Sequence, residues 1–222
     1  MRALTVHAGP RALQRLRDGT LRPQDVRVLP AAAGGPKGLV LNPLDRFLFA
    51  DWLAGSTHEV HLLGASIGAW RMACATLPDA DAALAQLAED YITQRYDHAP
   101  GKSPTPTAVS RAFGRKLDER LGVRAGEILD SPRYRLQVFT SRGRHLLGRE
   151  GRLRTPLGYL GAFVSNAASR RALGLWLERV VFADPRTPLP FGLHDYRSRT
   201  VALTPANLAP AILASCSIPF WL

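Results

Sequence analysis

Glu59-Val60-His61-Leu62-Leu63-Gly64-Ala65-Ser66-Ile67-Gly68-Ala69-Trp70-Arg71-Met72-Ala73-Cys74-Ala75 passes from an extended apolar run, through a G-x-S-x-G pentapeptide, into a helix-forming run. Residues 59–63 read as a buried strand, and residues 69–75 as the opening of a helix. A serine on so tight a strand-to-helix turn is held in a strained backbone conformation. Glycines on both sides let the chain bend and let a substrate come close. The helix that follows aims its N-terminal N–H groups at the place where an oxyanion would form. The pattern predicts an exposed, activated nucleophile at Ser66, in an elbow framed by Gly64 and Gly68. The competing reading is a glycine-rich turn whose serine caps a helix.

A second motif lies upstream. Val26 to Ala33 reads as a first strand, followed by Gly34-Gly35-Pro36-Lys37-Gly38 and a helix-like run to Leu53. In that run the apolar residues at 44, 47, 48 and 52 share one helical face, and Pro43 suits a first turn or a kink. Strand, glycine loop, helix, strand and serine elbow make a βαβ unit. In a parallel sheet both loops would sit at the carboxyl ends of their strands, where open α/β sheets bind ligands. The glycine loop and Ser66 are therefore expected to be neighbours. Gly34, Gly35, Lys37 and Gly38 form a candidate oxyanion hole, with Lys37 adding charge or orienting the loop. The loop is not a Walker A sequence. Nor is it a dinucleotide fingerprint, because Ala33 occupies the first glycine place.

These residues resemble the patatin-like phospholipase family. Gly34, Gly35, Lys37 and Gly38 match its G-G-x-[RK]-G loop. Gly64, Ala65, Ser66 and Gly68 match its G-[TA]-S-x-G elbow. Ala211 to Phe220, with Ser215 and Pro219, looks like its A-S-x-x-x-P-x-x-F segment. The resemblance implies a three-layer α/β/α fold with a mainly parallel central sheet. It also implies a serine lipid acyl hydrolase whose base is an aspartate in a D-G-[GA] motif. No such motif occurs in this chain, and Asp18-Gly19-Thr20 precedes the first core strand. The apolar ending Ile218 to Leu222 reads as cut off partway into the core. Residues 1–222 are thus expected to be a single acyl hydrolase domain, incomplete at its C-terminus, with little or no activity alone.

Composition narrows the remaining classes. The chain has 222 residues and a formal net charge of +11, almost all of it from arginine. That suits contact with an anionic membrane surface. It also suits compositional bias. The arginines are scattered, and no recognised nucleic-acid module appears, so no nucleic-acid partner is expected. Arg111, Arg115 and Arg120, beside Asp118 and Glu119, read as a solvated helix face. No signal-peptide pattern or apolar run of about eighteen residues is present, which points to a cytoplasmic protein, peripheral to a membrane at most. Cys74 and Cys216 read as small buried hydrophobes, no metal-ligand spacing is apparent, and no cofactor is implied. Composition leaves the oligomeric state and the lipid class open.

Along the rest of the chain, a helix is expected to begin after Pro78-Asp79 and run to about Tyr96. A loop follows from Asp97 to Thr107, then a polar helix over 108–121. Tyr134 to Thr140 reads as a strand. Residues 159–182 read as mostly helical, with Trp176 facing the core or a lipid-accessible surface. Asp184 to Pro190 reads as a loop, 200–204 as a strand and 205–215 as a helix. Two rivals to the Ser–Asp dyad stand. One is an α/β-hydrolase triad of Ser66, Asp184 and His194, the order that fold uses. The other is a non-catalytic lipid-binding module.

Overall fold

The computed structural model describes residues 6–19, 21–32, 34–96 and 101–218. In chain order they form α1 (Pro10–Asp18), β1 (Val28–Ala31), α2 (Asn42–Arg46), β2 (Val60–Ala65), α3 (Ile67–Thr76), α4 (Ala80–Thr93), α5 (Pro106–Leu117), α6 (Ala125–Leu129), β3 (Tyr134–Gly143), α7 (Arg154–Ala168), β4 (Leu177–Ala183), β5 (Ser198–Ala202) and α8 (Leu208–Cys216). The five strands lie side by side in sequence order. The β1–β2, β2–β3 and β4–β5 pairs are parallel and the β3–β4 pair is antiparallel. This is an α/β fold with a mainly parallel central sheet flanked by helices, the class the sequence predicts.

Period-two patterning decides which face of the sheet carries the core. Val60, Leu62 and Gly64 of β2 are buried, while His61, Leu63 and Ala65 are only partly so. Their β3 partners on the buried side are Tyr134, Leu136 and Val138. Against that side pack α3, buried along its whole length, and α8. Leu84 and Leu87 of α4, Phe113 and Leu117 of α5, and Ile128 of α6 extend the same cluster outward. Apart from Arg71 and Thr76, α3 is apolar all round, as an enclosed helix must be, and it is enclosed directly after the serine elbow. Cys74 and Cys216 are free and buried.

Several expectations need correction. The helix-like run after the glycine loop is not one α-helix. It passes from a 3-10 turn (Gly35–Leu41) through α2 to a π turn (Phe47–Trp52). Pro43 does sit in the first turn of α2. The π turn, with Leu53 N–H bonded to the Leu48 carbonyl, inserts an extra residue and rephases the face. Asp45, Phe49 and Leu53 are the buried residues of this run, and Phe47 is exposed. Residues 177–182 are strand β4, because Val180, Val181 and Phe182 pair with β3. Arg120 is not on a purely solvated face, since it clasps Asp90 of α4 with bonds of 2.7 and 2.9 Å. The helix α6 was not expected. Ala33, His98, Pro219 and Phe220 lie outside the described residues.

Candidate active site

β2 ends at Ala65 and α3 begins at Ile67, so Ser66 alone makes the turn. Its backbone angles are φ 55° and ψ −131°. That is a region L-residues avoid, at a cost of roughly 1–3 kcal/mol. A capping serine sits instead in the extended region with its oxygen on an N–H of the first turn. Ser66 makes no such side-chain cap bond. The helix-cap reading therefore fails, and the hydroxyl is not spent on the helix.

Two glycines make the turn possible. A Cβ on Gly64 would overlap the backbone of Ala69, and one on Gly68 would overlap the carbonyl of Ala31. The first closure folds α3 back on β2; the second seats it on the end of β1. A Cβ on Gly38 would come within 2.9 Å of Ile67 Cγ2. The glycine loop and the elbow are thus packed together, as the βαβ pattern predicts. Gly35 has φ 52°, and here glycine supplies the left-handed conformation. Within the loop the roles divide. Pro36 has no N–H, and the N–H of Lys37 donates to the Gly34 carbonyl at 3.2 Å. The N–H groups of Gly34 and Gly35 precede the first hydrogen-bonded turn of the 3-10 segment. The Lys37 side chain is exposed.

Ser66 itself lines a cavity of about 440 Å³ whose walls include Phe139, Leu147, Tyr159, Arg179, Tyr196 and Ser215. Gly34, Gly35, Lys37 and Gly38 are not among its lining residues, so the loop meets the elbow from another side. A larger cleft, about 770 Å³, opens at the other end of the sheet between residues 75–82 and 130–134. It holds no strained nucleophile, and the chemistry selects the smaller cavity.

The floor of the site is set by Ser215, which sequence reasoning placed in a motif without a role. Its hydroxyl accepts the Ser66 N–H at 2.8 Å and donates to the Phe139 carbonyl at 2.6 Å. One side chain of α8 thereby ties the elbow to β3. The neighbouring Cys216 thiol is pushed up to about 11 by burial, with the Ser66 side chain hydrogen bonding to it in the opposite sense. It is not a competing thiolate. Burial and the nearby Glu150 charge both raise the Tyr159 hydroxyl, which stays protonated as a donor. Glu150 is the carboxylate among the cavity residues. Arg179 is held by Asp195 with bonds of 2.8 and 2.9 Å and lies over the Tyr196 ring at 4.2 Å. The paired Arg179 holds the Asp195 carboxyl far below the usual carboxylate range.

The Ser66–Asp184–His194 triad is not assembled. β4 runs antiparallel to β3, so Asp184 emerges at the end of the sheet away from Ser66, with its N–H on the Leu136 carbonyl. Leu136 pairs with Leu62, three residues before Ala65. That is about 10 Å along the strands at about 3.3 Å per residue. Arg186 moreover occupies the Asp184 carboxylate, with contacts of 2.5 to 3.1 Å. His194 is exposed on a separate loop. Among the described residues, no group of three or more His, Cys, Asp or Glu is arranged to hold a metal ion.

No family model matches the chain, and no curated protein or solved structure does either.

Proposed function

We propose that this chain carries the nucleophile-bearing core of a serine acyl hydrolase acting on lipid esters, of the patatin-like kind. The observation that carries the reading is the backbone of Ser66, strained, uncapped and facing a cavity of mixed polar and apolar walls. Strain of that kind persists only when its surroundings enforce it, and here Gly64, Gly68 and Ser215 do so. In the proposed reaction the Ser66 hydroxyl oxygen attacks the ester carbonyl. The alcohol leaves with a proton, and water then hydrolyses the acyl-enzyme to free acid. The N–H groups of Ile67 and Gly68, in the first turn of α3, are the donors for the oxyanion. No described aspartate is placed to act as general base to Ser66, so the chain is expected to turn over little or no ester.

A non-catalytic lipid-binding module is favoured by one observation. Among the described residues, no carboxylate or imidazole is hydrogen bonded to the Ser66 hydroxyl. One experiment separates the two readings. A fluorophosphonate probe is expected to label the chain, slowly, at Ser66, and Ser66→Ala is expected to abolish labelling. Labelling no faster than that of a surface serine would overturn the hydrolase reading.

A further inference from the structure

Helix α7 is built inside out. Its inward face is made of small residues. Gly158 lies against Leu147, Gly161 lies against Trp176, and the Trp176 indole donates to Ser165 at 2.9 Å. Trp176 is thus turned into the protein. The large apolar residues point the other way. Leu153, Leu157, Leu160 and Val164 follow one another at helical spacing and are between 58 and 77% exposed, with Phe163 beside them at 72%. Scattered exposed apolar residues need no explanation, but a continuous stripe marks a surface that something covers.

Charge identifies the occupant. No charged residue occurs from Thr155 to Ser169, while Arg149, Arg152, Arg154, Arg170 and Arg171 stand at the two ends of the helix. Among the described ion pairs, only Arg170 of these five has a carboxylate partner. An outward apolar stripe with cationic ends is how a helix lies in the plane of a bilayer, its leucines at the acyl boundary and its arginines among anionic headgroups. A protein partner of ordinary composition would not call for cations at both ends.

From these observations we infer that α7 docks the protein on an anionic lipid surface. The helix also contributes Thr155 and Tyr159 to the wall of the Ser66 cavity. Docking therefore brings the mouth of that cavity to the bilayer. This second part, delivery of lipid to Ser66, rests on the acyl-hydrolase reading; the docking itself does not.

The test is flotation of the full chain with vesicles of phosphatidylcholine alone or mixed with phosphatidylglycerol. Wild type is expected to float with the mixed vesicles and much less with the neutral ones. Leu157→Asp/Leu160→Asp is expected to weaken binding by about tenfold or more, since both leucines would otherwise leave water. Arg152→Glu/Arg171→Glu is expected to weaken it comparably through charge alone, and it keeps the test valid should the first variant misfold. Ser66→Ala is expected to bind like wild type, and a wild-type chain that floats but labels no faster than a surface serine overturns the hydrolase reading and leaves docking standing. Equal flotation of wild type and the leucine variant overturns the inference. So does a dimer in solution that the leucine variant dissolves while wild type ignores both vesicles.

Discussion

Ser66 reconciles two demands. Its hydroxyl must reach a cavity, and its backbone must hold a conformation that L-residues avoid. The restraint comes from Ser215, which takes the Ser66 N–H and gives its own proton to the Phe139 carbonyl. Ser215→Ala leaves both backbone groups without that partner. A loss of about 1–2 kcal/mol is expected in urea unfolding. Fluorophosphonate labelling of Ser66 should slow as well, because the elbow gains freedom to relax. A variant that loses stability but labels at the wild-type rate would show that Ser215 is structural only. Gly68→Ala acts on the same turn by volume. Its methyl would overlap the Ala31 carbonyl, so α3 must lift from β1. A cost of about 1–3 kcal/mol or more is expected, read as a lowered thermal midpoint. Gly55, around which a Cβ meets nothing within 4 Å, is the matched control.

The elements that carry the two loops are joined by a buried ion pair. Arg71 of α3 donates to both oxygens of Asp45 of α2 at 2.6 and 2.7 Å, and both side chains are almost wholly buried. The helix after the glycine loop is thus locked to the helix after the serine. Asp45→Ala would leave the Arg71 charge buried without its partner. A loss of about 3–5 kcal/mol is expected in urea unfolding. Asp45→Leu combined with Arg71→Met should recover most of it, because the paired charges contribute little beyond what apolar packing would. Failure of the double variant to recover would assign the pair a role in fixing geometry. This pair was invisible in the sequence, where Asp45 stood beside apolar residues expected to be buried and nothing marked Arg71, 26 residues on, as its partner. The serine elbow, the glycine loop and β1 to β3 were legible because their signals are local: alternation, glycine placement, a helix beginning two residues after a strand. β4 was misread because what makes it a strand is its pairing with β3, a long-range contact that no local pattern carries. The role of Ser215 was equally hidden, since it depends on a contact across 149 residues.

Over the whole molecule, the excess of arginine is partly spent in pairs. Arg46 meets Asp81, Arg124 meets Asp79 and Glu127, and Arg179 meets Asp195. These pairs hold the Asp79, Asp81 and Asp195 carboxyls below their ordinary range. A depressed carboxylate stabilises the fold above its unfolded value, near pH 4, and the contribution is lost as pH falls through the lower folded value. His61 acts in a different window. Burial lowers its pKa, Arg135 adds to that, and Glu59 and Asp184 oppose it. Below about pH 6.5 the unfolded chain takes up a proton at this position that the folded protein resists. Stability should therefore decline from about pH 6.5 down to the folded value, then level until the carboxylates titrate. Urea midpoints measured from pH 7.5 to pH 3 are expected to show two separate declines. His61→Gln should flatten the upper one and leave the lower, because glutamine keeps a polar side chain beside Gln137 but cannot take up the proton. An upper decline that survives the substitution would assign it to another histidine.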